Sequence, residues 1–210
     1  MLLHRLHLDL HCREVRRDLA DPYQMHATLC RAFVPGDQKC PPGTFLWRLE
    51  PEASPSGAAR VLVQGHTSPD WSRIAIQGWL AEQPAPGIDL HTKLSLAGLA
   101  ASRRFRYRLR ANPSVCRDGK RVGLLGLEDQ RNWITRKGLL HGFKPETFHS
   151  SQEKMLSARQ HNGNPIRVFS ALFDGMLVVE NPERFVTAIR SGIGHGKAVG
   201  LGLLSVVPAQ

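Results

Sequence analysis

The run Arg103-Arg-Phe-Arg-Tyr-Arg-Leu-Arg110 leaves little choice of local structure. Phe105, Tyr107 and Leu109 alternate with Arg104, Arg106, Arg108 and Arg110, a period of two that builds a strand with one apolar and one cationic face. Wound as a helix, both sets would spread around the axis and no face would be left to bury. Such a strand must lie on a core built by other elements of the chain. Four guanidinium groups on one strand face repel one another unless an anion lies across them; the alternative is a solvated edge strand protected by its charge. The whole chain is basic as well, with 28 Lys and Arg against 18 Asp and Glu and a net charge of +10 over 210 residues. That balance points to a polyanionic partner, either nucleic acid or an anionic membrane surface.

Around that strand the order of elements is regular. Leu6, Leu8 and Leu10 alternate with His7 and Asp9 as a first strand. Asp21 is suited to cap a helix, Pro22 to its first position and Gln24 to a capping box, with Met25, Leu29 and Phe33 as its buried stripe. After a Pro/Gly break from Pro35 to Gly43, Thr44–Glu50 and Arg60–Gln64 read as neighbouring strands separated by a second break. A short helical or irregular segment begins at Pro69 and is interrupted at Pro84 to Gly87. With the arginine strand closing it, residues 1–112 follow the β-α-β-β-α-β path of a ferredoxin-like domain.

Residues 113–210 repeat that outline. A basic loop carries Arg117, Lys120 and Arg121, followed by a helix near Glu128–Lys137 and a polar segment from Thr147 to Gln160. The break at His161–Pro165 reads as a hairpin turn. Ile166–Phe173 and Met176–Val179 are expected to form a strand pair turning at Asp174-Gly175. Asn181-Pro182 starts a helix that buries Phe185 and Ile189 and stops at Gly192, and Leu203–Val207 is the last strand. The second half thus follows the first in outline, and the fold class is α+β.

Tyr23, His26 and Cys30 share a face of the first helix away from its buried stripe. A phenol and an imidazole one turn apart can act on one small substrate atom, the imidazole taking a proton and the phenol donating one. Cys12, Cys30, Cys40 and Cys116 show no Cys-x-x-Cys spacing, which suits reduced thiols. His4, His7 and His11 do not share one strand face, so no metal and no cofactor are expected. No run of 18 apolar residues and no signal-like start occur, which implies a cytoplasmic protein without a membrane partner.

The segment Gly192-Ile-Gly-His-Gly-Lys-Ala-Val-Gly-Leu-Gly-Leu-Leu-Ser205 fits neither phosphate-binding motif, because Ser191 and Ala198 stand where a P-loop needs Gly and Ser or Thr. It also leaves a helix and enters a strand, the reverse of the order in which such loops cradle nucleotides. A helix cap and a tight turn account for Gly192 and Gly194, not for five glycines. Gly194 and Gly196 are expected to let backbone approach a partner, with Lys197 beside phosphate oxygens.

Four stretches together resemble the CasE family, the CRISPR repeat-processing endoribonucleases of type I-E (Cascade) systems. They are Arg17-Asp-Leu-Ala-Asp-Pro-Tyr-Gln-Met-His26, Leu46-Trp-Arg-Leu-Glu50, Tyr107-Arg-Leu-Arg-Ala-Asn-Pro113 and the glycine-rich segment, in the family's order along the whole chain. The chain departs at His195, where the family mostly carries Pro.

The resemblance implies tandem ferredoxin-like (RRM-like) domains, with antiparallel sheets and a basic cleft between them, binding the hairpin of a CRISPR repeat and cutting it without metal to 2′,3′-cyclic phosphate and 5′-hydroxyl ends. It also implies that the enzyme stays on its product beside the other Cascade subunits. Tyr23 and His26 fall on the family's catalytic positions. His26 would then be the base for the ribose 2′-hydroxyl, and Tyr23 would orient that hydroxyl or protonate the leaving oxygen. Arg104, Arg106, Arg108, Arg110, Lys120, Arg121, Arg159 and Lys197 are candidate contacts to the RNA backbone. The alternative is a non-catalytic subunit that holds an RNA hairpin and uses Tyr23 and His26 only for packing.

Overall fold

Leu2–Leu8 forms β1, in which Leu6 and Leu8 are buried; Leu10 falls beyond its end and is exposed. This computed structural model describes residues 1–36, 38–52, 56–159 and 163–209. After β1 come α1 (Arg13–Ala20), α2 (Pro22–Cys30), β2 (Phe45–Leu49), β3 (Ala59–Gly65), a 3₁₀ turn at Trp71–Arg73 and β4 (Ile88–Asp89). The sheet order is β2-β3-β1-β4 with every pair antiparallel, which is the β-α-β-β-α-β path with its second helix reduced to the 3₁₀ turn. One face packs Leu6, Leu8, Phe45, Trp47, Val61 and Val63 against Val15, Met25 and Leu29 of the helices.

The helix α1 has no counterpart in the sequence expectations. Its sequence Arg-Glu-Val-Arg-Arg-Asp-Leu-Ala buries only Val15 and Asp18. Asp18 is fully buried; its Oδ2 accepts the Trp79 indole N–H at 2.9 Å and its Oδ1 accepts from Arg17 Nη2 at 2.7 Å. Val15 is buried and Leu19, one turn on, packs against the same core, so α1 carries an apolar pair beside this polar anchor; a stripe of two residues in an eight-residue helix is too short to stand out as a periodic signal.

The second sheet follows α3 (Leu90–Lys93). It uses β5 (Arg104–Ala111), α4 (Leu127–His141), β8 (Phe143–Pro145), β10 (Pro165–Val179), α5 (Pro182–Ser191) and β11 (Leu204–Pro208), in the strand order β11-β5-β10-β8. β6 (Ser114–Arg117) and β7 (Lys120–Gly123) form a separate hairpin, and β9 (His149–Arg159), the expected polar segment, pairs with β10. Asn181 caps α5 by accepting from the Arg184 N–H, Phe185 and Ile189 are buried, and Gly192 ends the helix. Of the turn expected at His161–Pro165, His161 and Asn162 lie outside the described residues.

Two expectations are corrected. The arginine strand β5 pairs with β10 and β11, so it opens the second ferredoxin-like path instead of closing the first, and the expected division at 112/113 falls within the second sheet. Contacts gather Met1–Leu90, the described residues of Ser157–Ile166, and Ala198–Gly200 in one unit and the other described residues in a second. The strand that does close the first sheet, β4, is two residues long, too short to carry a periodic signal. Asp174-Gly175 is not a turn either, because β10 continues through it with Asp174 opposite Arg108 and Gly175 opposite Tyr107. A Cβ at Gly175 would collide with the Thr147 carbonyl oxygen. The glycine marks a close backbone approach, the other use of glycine inside a strand.

Candidate active site and nucleic-acid interface

The helix α2 is set by its cap. Asp21 is extended (φ −125°, ψ 101°) and its Oδ1 accepts the Tyr23 N–H at 2.9 Å, with Pro22 next. Met25 and Leu29 point into the core, and Phe33, just past the helix, stacks on Phe45 with ring centroids 4.6 Å apart. Tyr23, His26 and Cys30 are half-buried on another face, as their spacing predicts. The His26 ring lies 5.0 Å from Phe45 at 31° and 6.4 Å from Tyr23 at 49°. Its Nδ1 is buried and has no hydrogen-bond partner among the described residues.

Burial lowers the pKa of His26 from 6.5 to about 4, so the imidazole is neutral at physiological pH, the form from which a base acts, while the same burial weakens its basicity. Cys30 takes the opposite course: burial and the neighbouring Cys40 thiol push its pKa up to about 12. It is therefore a thiol, not a nucleophilic thiolate. Among the described residues no group of three or more His, Cys, Asp or Glu side chains is placed to hold a metal ion.

The row of arginines on β5 is largely answered from within the protein. Arg104 Nε donates to both Glu146 oxygens at 2.9 and 3.0 Å, and Arg108 Nε pairs with Asp174 Oδ1 at 2.8 Å. Arg110 is buried, with Nη2 donating to Gln152 Oε1 at 2.6 Å and Nη1 to Ser170 Oγ at 3.2 Å. Arg106 stays exposed. The anions that the alternation asks for come from neighbouring strands and loops, whose register a one-strand pattern does not contain.

The glycine-rich segment also has a structural explanation. Gly192, Gly194, Gly196, Gly200 and Gly202 all have positive φ, so the fold itself requires the five glycines, and a cap with one turn is not the limit of their structural use. Gly200 shows this most sharply: φ is +79° and an added Cβ would sit 2.9 Å from the Trp47 ring.

A basic cluster forms in the second unit from three elements: Arg121 on β7, Lys137 and His141 on α4, and His195 and Lys197 in the glycine-rich segment; Lys120, next to Arg121 on β7, is exposed. The Lys137 ammonium lies 5.7 Å from the centre of the Trp133 ring, and the same ring packs beneath Gly194, whose Cβ position is 3.5 Å from it. Burial lowers the pKa of Lys137, His141 and His195, and neighbouring cations lower each further. These are Arg136 and Arg121 for Lys137, Lys137 and Lys197 for His141, and Arg121, Lys137 and Lys197 for His195. Such mutual repulsion is relieved when an anion binds.

Trp133, Lys137 and His141 are absent from the sequence candidates, although their spacing of four on one helix is the signal that would have found them. Arg159, the last residue of β9, is exposed, and its backbone N–H donates to Asp21 Oδ2 at 3.2 Å.

Residues 1–208 match the family described as CRISPR associated protein. The CRISPR-associated endoribonuclease Cse3 of Thermus thermophilus is 37% identical over 225 residues, covering 99% of this chain and 100% of the relative. A solved structure of Thermus thermophilus Cse3 bound to an RNA representing a pre-cleavage complex superposes with a TM-score of 0.83 at 37% identity, over 99% of this chain and 98% of that one. The CRISPR system Cascade subunit CasE of Escherichia coli K12 is 26% identical over 191 residues, 90% of this chain and 92% of the relative. The chain belongs to the CRISPR-associated protein family and is a relative of Cse3 and CasE.

Proposed function

We propose that this protein is an endoribonuclease that binds the hairpin of a CRISPR repeat in a precursor transcript and cuts it without a metal ion. The observation that carries the proposal is the pairing of Tyr23 with a neutral, half-buried His26 on one capped helix, in a chain 37% identical to an endoribonuclease along its whole length. His26 takes the proton of the ribose 2′-hydroxyl as it attacks the adjacent phosphorus. Tyr23 orients that hydroxyl or protonates the leaving 5′-oxygen, and the products are a 2′,3′-cyclic phosphate and a 5′-hydroxyl. Proton transfer by two side chains is worth roughly a hundredfold to ten-thousandfold for each group and needs no metal-bound water.

RNA is held through its phosphates by Arg106, Lys120, Arg121, Arg159 and Lys197, joined by Lys137 and His141 from the cluster on α4, while Gly194 and Gly196 shape the segment that carries Lys197. Shape and phosphate contacts dominate recognition of duplex RNA. The relationship to a Cascade subunit supports a further role in which the protein stays on the processed RNA beside other Cascade subunits.

The decisive assay incubates the protein in excess EDTA with its own repeat hairpin, beside the same RNA carrying a 2′-deoxy sugar at the cut site. Cleavage of the first alone is expected, with cyclic-phosphate ends. Tight binding with neither RNA cut would refute the enzyme and leave a structural RNA-binding subunit.

A further inference from the structure

Asp21 makes two hydrogen bonds that serve different parts of the chain. Oδ1 accepts the Tyr23 N–H at 2.9 Å and closes the first turn of α2, while Oδ2 accepts the Arg159 N–H at 3.2 Å, from a residue 138 positions away at the end of β9. Capping needs only the first of these, and Asn, Ser or Thr would supply it equally well. The second bond is what calls for a carboxylate, the only side-chain group here with two acceptor oxygens and no donor when ionised.

We propose that Asp21 is a positioning residue for RNA cleavage, holding the backbone of Arg159 in register with the helix that carries Tyr23 and His26. The inference rests on the ribonuclease reading above. Tyr23 lies two residues and His26 five residues beyond Asp21 in the same helix, so fixing Asp21 fixes the origin of both. Arg159 extends an exposed guanidinium from a backbone tied to that origin. A phosphate drawn to Arg159 is thereby delivered at a set distance from the catalytic pair. Proximity effects are steep, and a misplacement of about 1 Å costs on the order of a hundredfold in rate.

Asp21→Asn separates the two bonds, because its amide oxygen still caps Tyr23 while its NH₂ meets the Arg159 N–H donor to donor. Single-turnover cleavage and equilibrium binding of the repeat hairpin are measured for the wild type, Asp21→Asn, Arg159→Ala and the double variant. Asp21→Asn is expected to slow cleavage roughly ten- to a hundredfold with hairpin Kd and urea midpoint unchanged. The same substitution in the Arg159→Ala background should cost far less, since the group it positions is already gone.

Wild-type rates for Asp21→Asn, or equal losses in both backgrounds, would overturn the positioning role, as would a loss of affinity in proportion to rate. Asp21→Ser, which also keeps a single capping oxygen, repeats the test. Failure of both variants to unfold cooperatively would make the second bond structural and overturn the proposal too. A wild type that binds but does not cut would instead sink the ribonuclease reading itself.

Discussion

Replacing His26 by glutamine and titrating both proteins with acid isolates the physical state of the candidate base. Folding moves His26 from its ordinary 6.5 down to about 4 through burial. At about 1.4 kcal/mol per tenfold change in acidity, that corresponds to roughly 3 kcal/mol. Above pH 6.5 the ring is neutral in both folded and unfolded chains, and nothing changes. As the pH falls from 6.5 towards 4 the unfolded chain takes up the proton while the folded chain refuses it, so stability drops across that window and levels off below it. The amide of the His26→Gln variant takes up no proton in this range. His4, His141 and His195 are also held below their ordinary pKa by burial, but they remain in both proteins and cancel in the difference.

Urea unfolding at pH 7, 6, 5 and 4 should therefore show the wild type losing about 3 kcal/mol more than His26→Gln between pH 7 and 4. Parallel losses would mean that His26 is solvated in the folded protein and would remove the argument for a desolvated base beside Phe45. The same reasoning extends to activity. RNA phosphates near His26 favour the imidazolium, so the acid limb of kcat should lie at higher pH than that of kcat/KM, which reports the free protein.

Gly200→Val combines a strained φ of +79° with a clash against the Trp47 ring; it should destabilise folding by at least the roughly 1–3 kcal/mol of the backbone strain while the folded fraction binds the hairpin normally, and a selective loss of RNA affinity would reassign that glycine to the interface. Lys137→Ala and Arg106→Ala should each reduce the slope of log Kd against log salt by about 0.7–0.9. Arg104→Ala should change it less, because Glu146 already lies against that guanidinium; an unchanged slope for Lys137→Ala would mean that RNA does not reach the cluster on α4.

Much of the local structure is written in short-range patterns. The alternation of β5, the Asp21-Pro22 and Asn181-Pro182 helix starts and the one-turn spacing of Tyr23 and His26 depend only on neighbours within a few residues, and each is found where the sequence places it. The family resemblance adds the tandem ferredoxin-like plan and the expected chemistry. Patterns fail where an element is too short: β4 has two residues, and the eight residues of α1 offer a single apolar pair, Val15 and Leu19, beside buried Asp18.

Partner choice was decided only by the tertiary structure. The alternation of Arg and apolar residues makes 104–111 a strand but says nothing about which sheet receives it or which carboxylates lie across it; pairing with β10 brings Asp174 to Arg108, and the turn after β8 brings Glu146 to Arg104. Spacing puts His26 on a face with Tyr23, whereas its neutral state comes from Phe45 and the core around it, and the tie from Asp21 to Arg159 spans 138 positions. Strand and helix follow from backbone geometry repeated over a few residues, so a sequence determines them directly. Desolvation, register and the second oxygen of a carboxylate depend on atoms brought together from distant parts of the chain, and those distances exist only once it has folded.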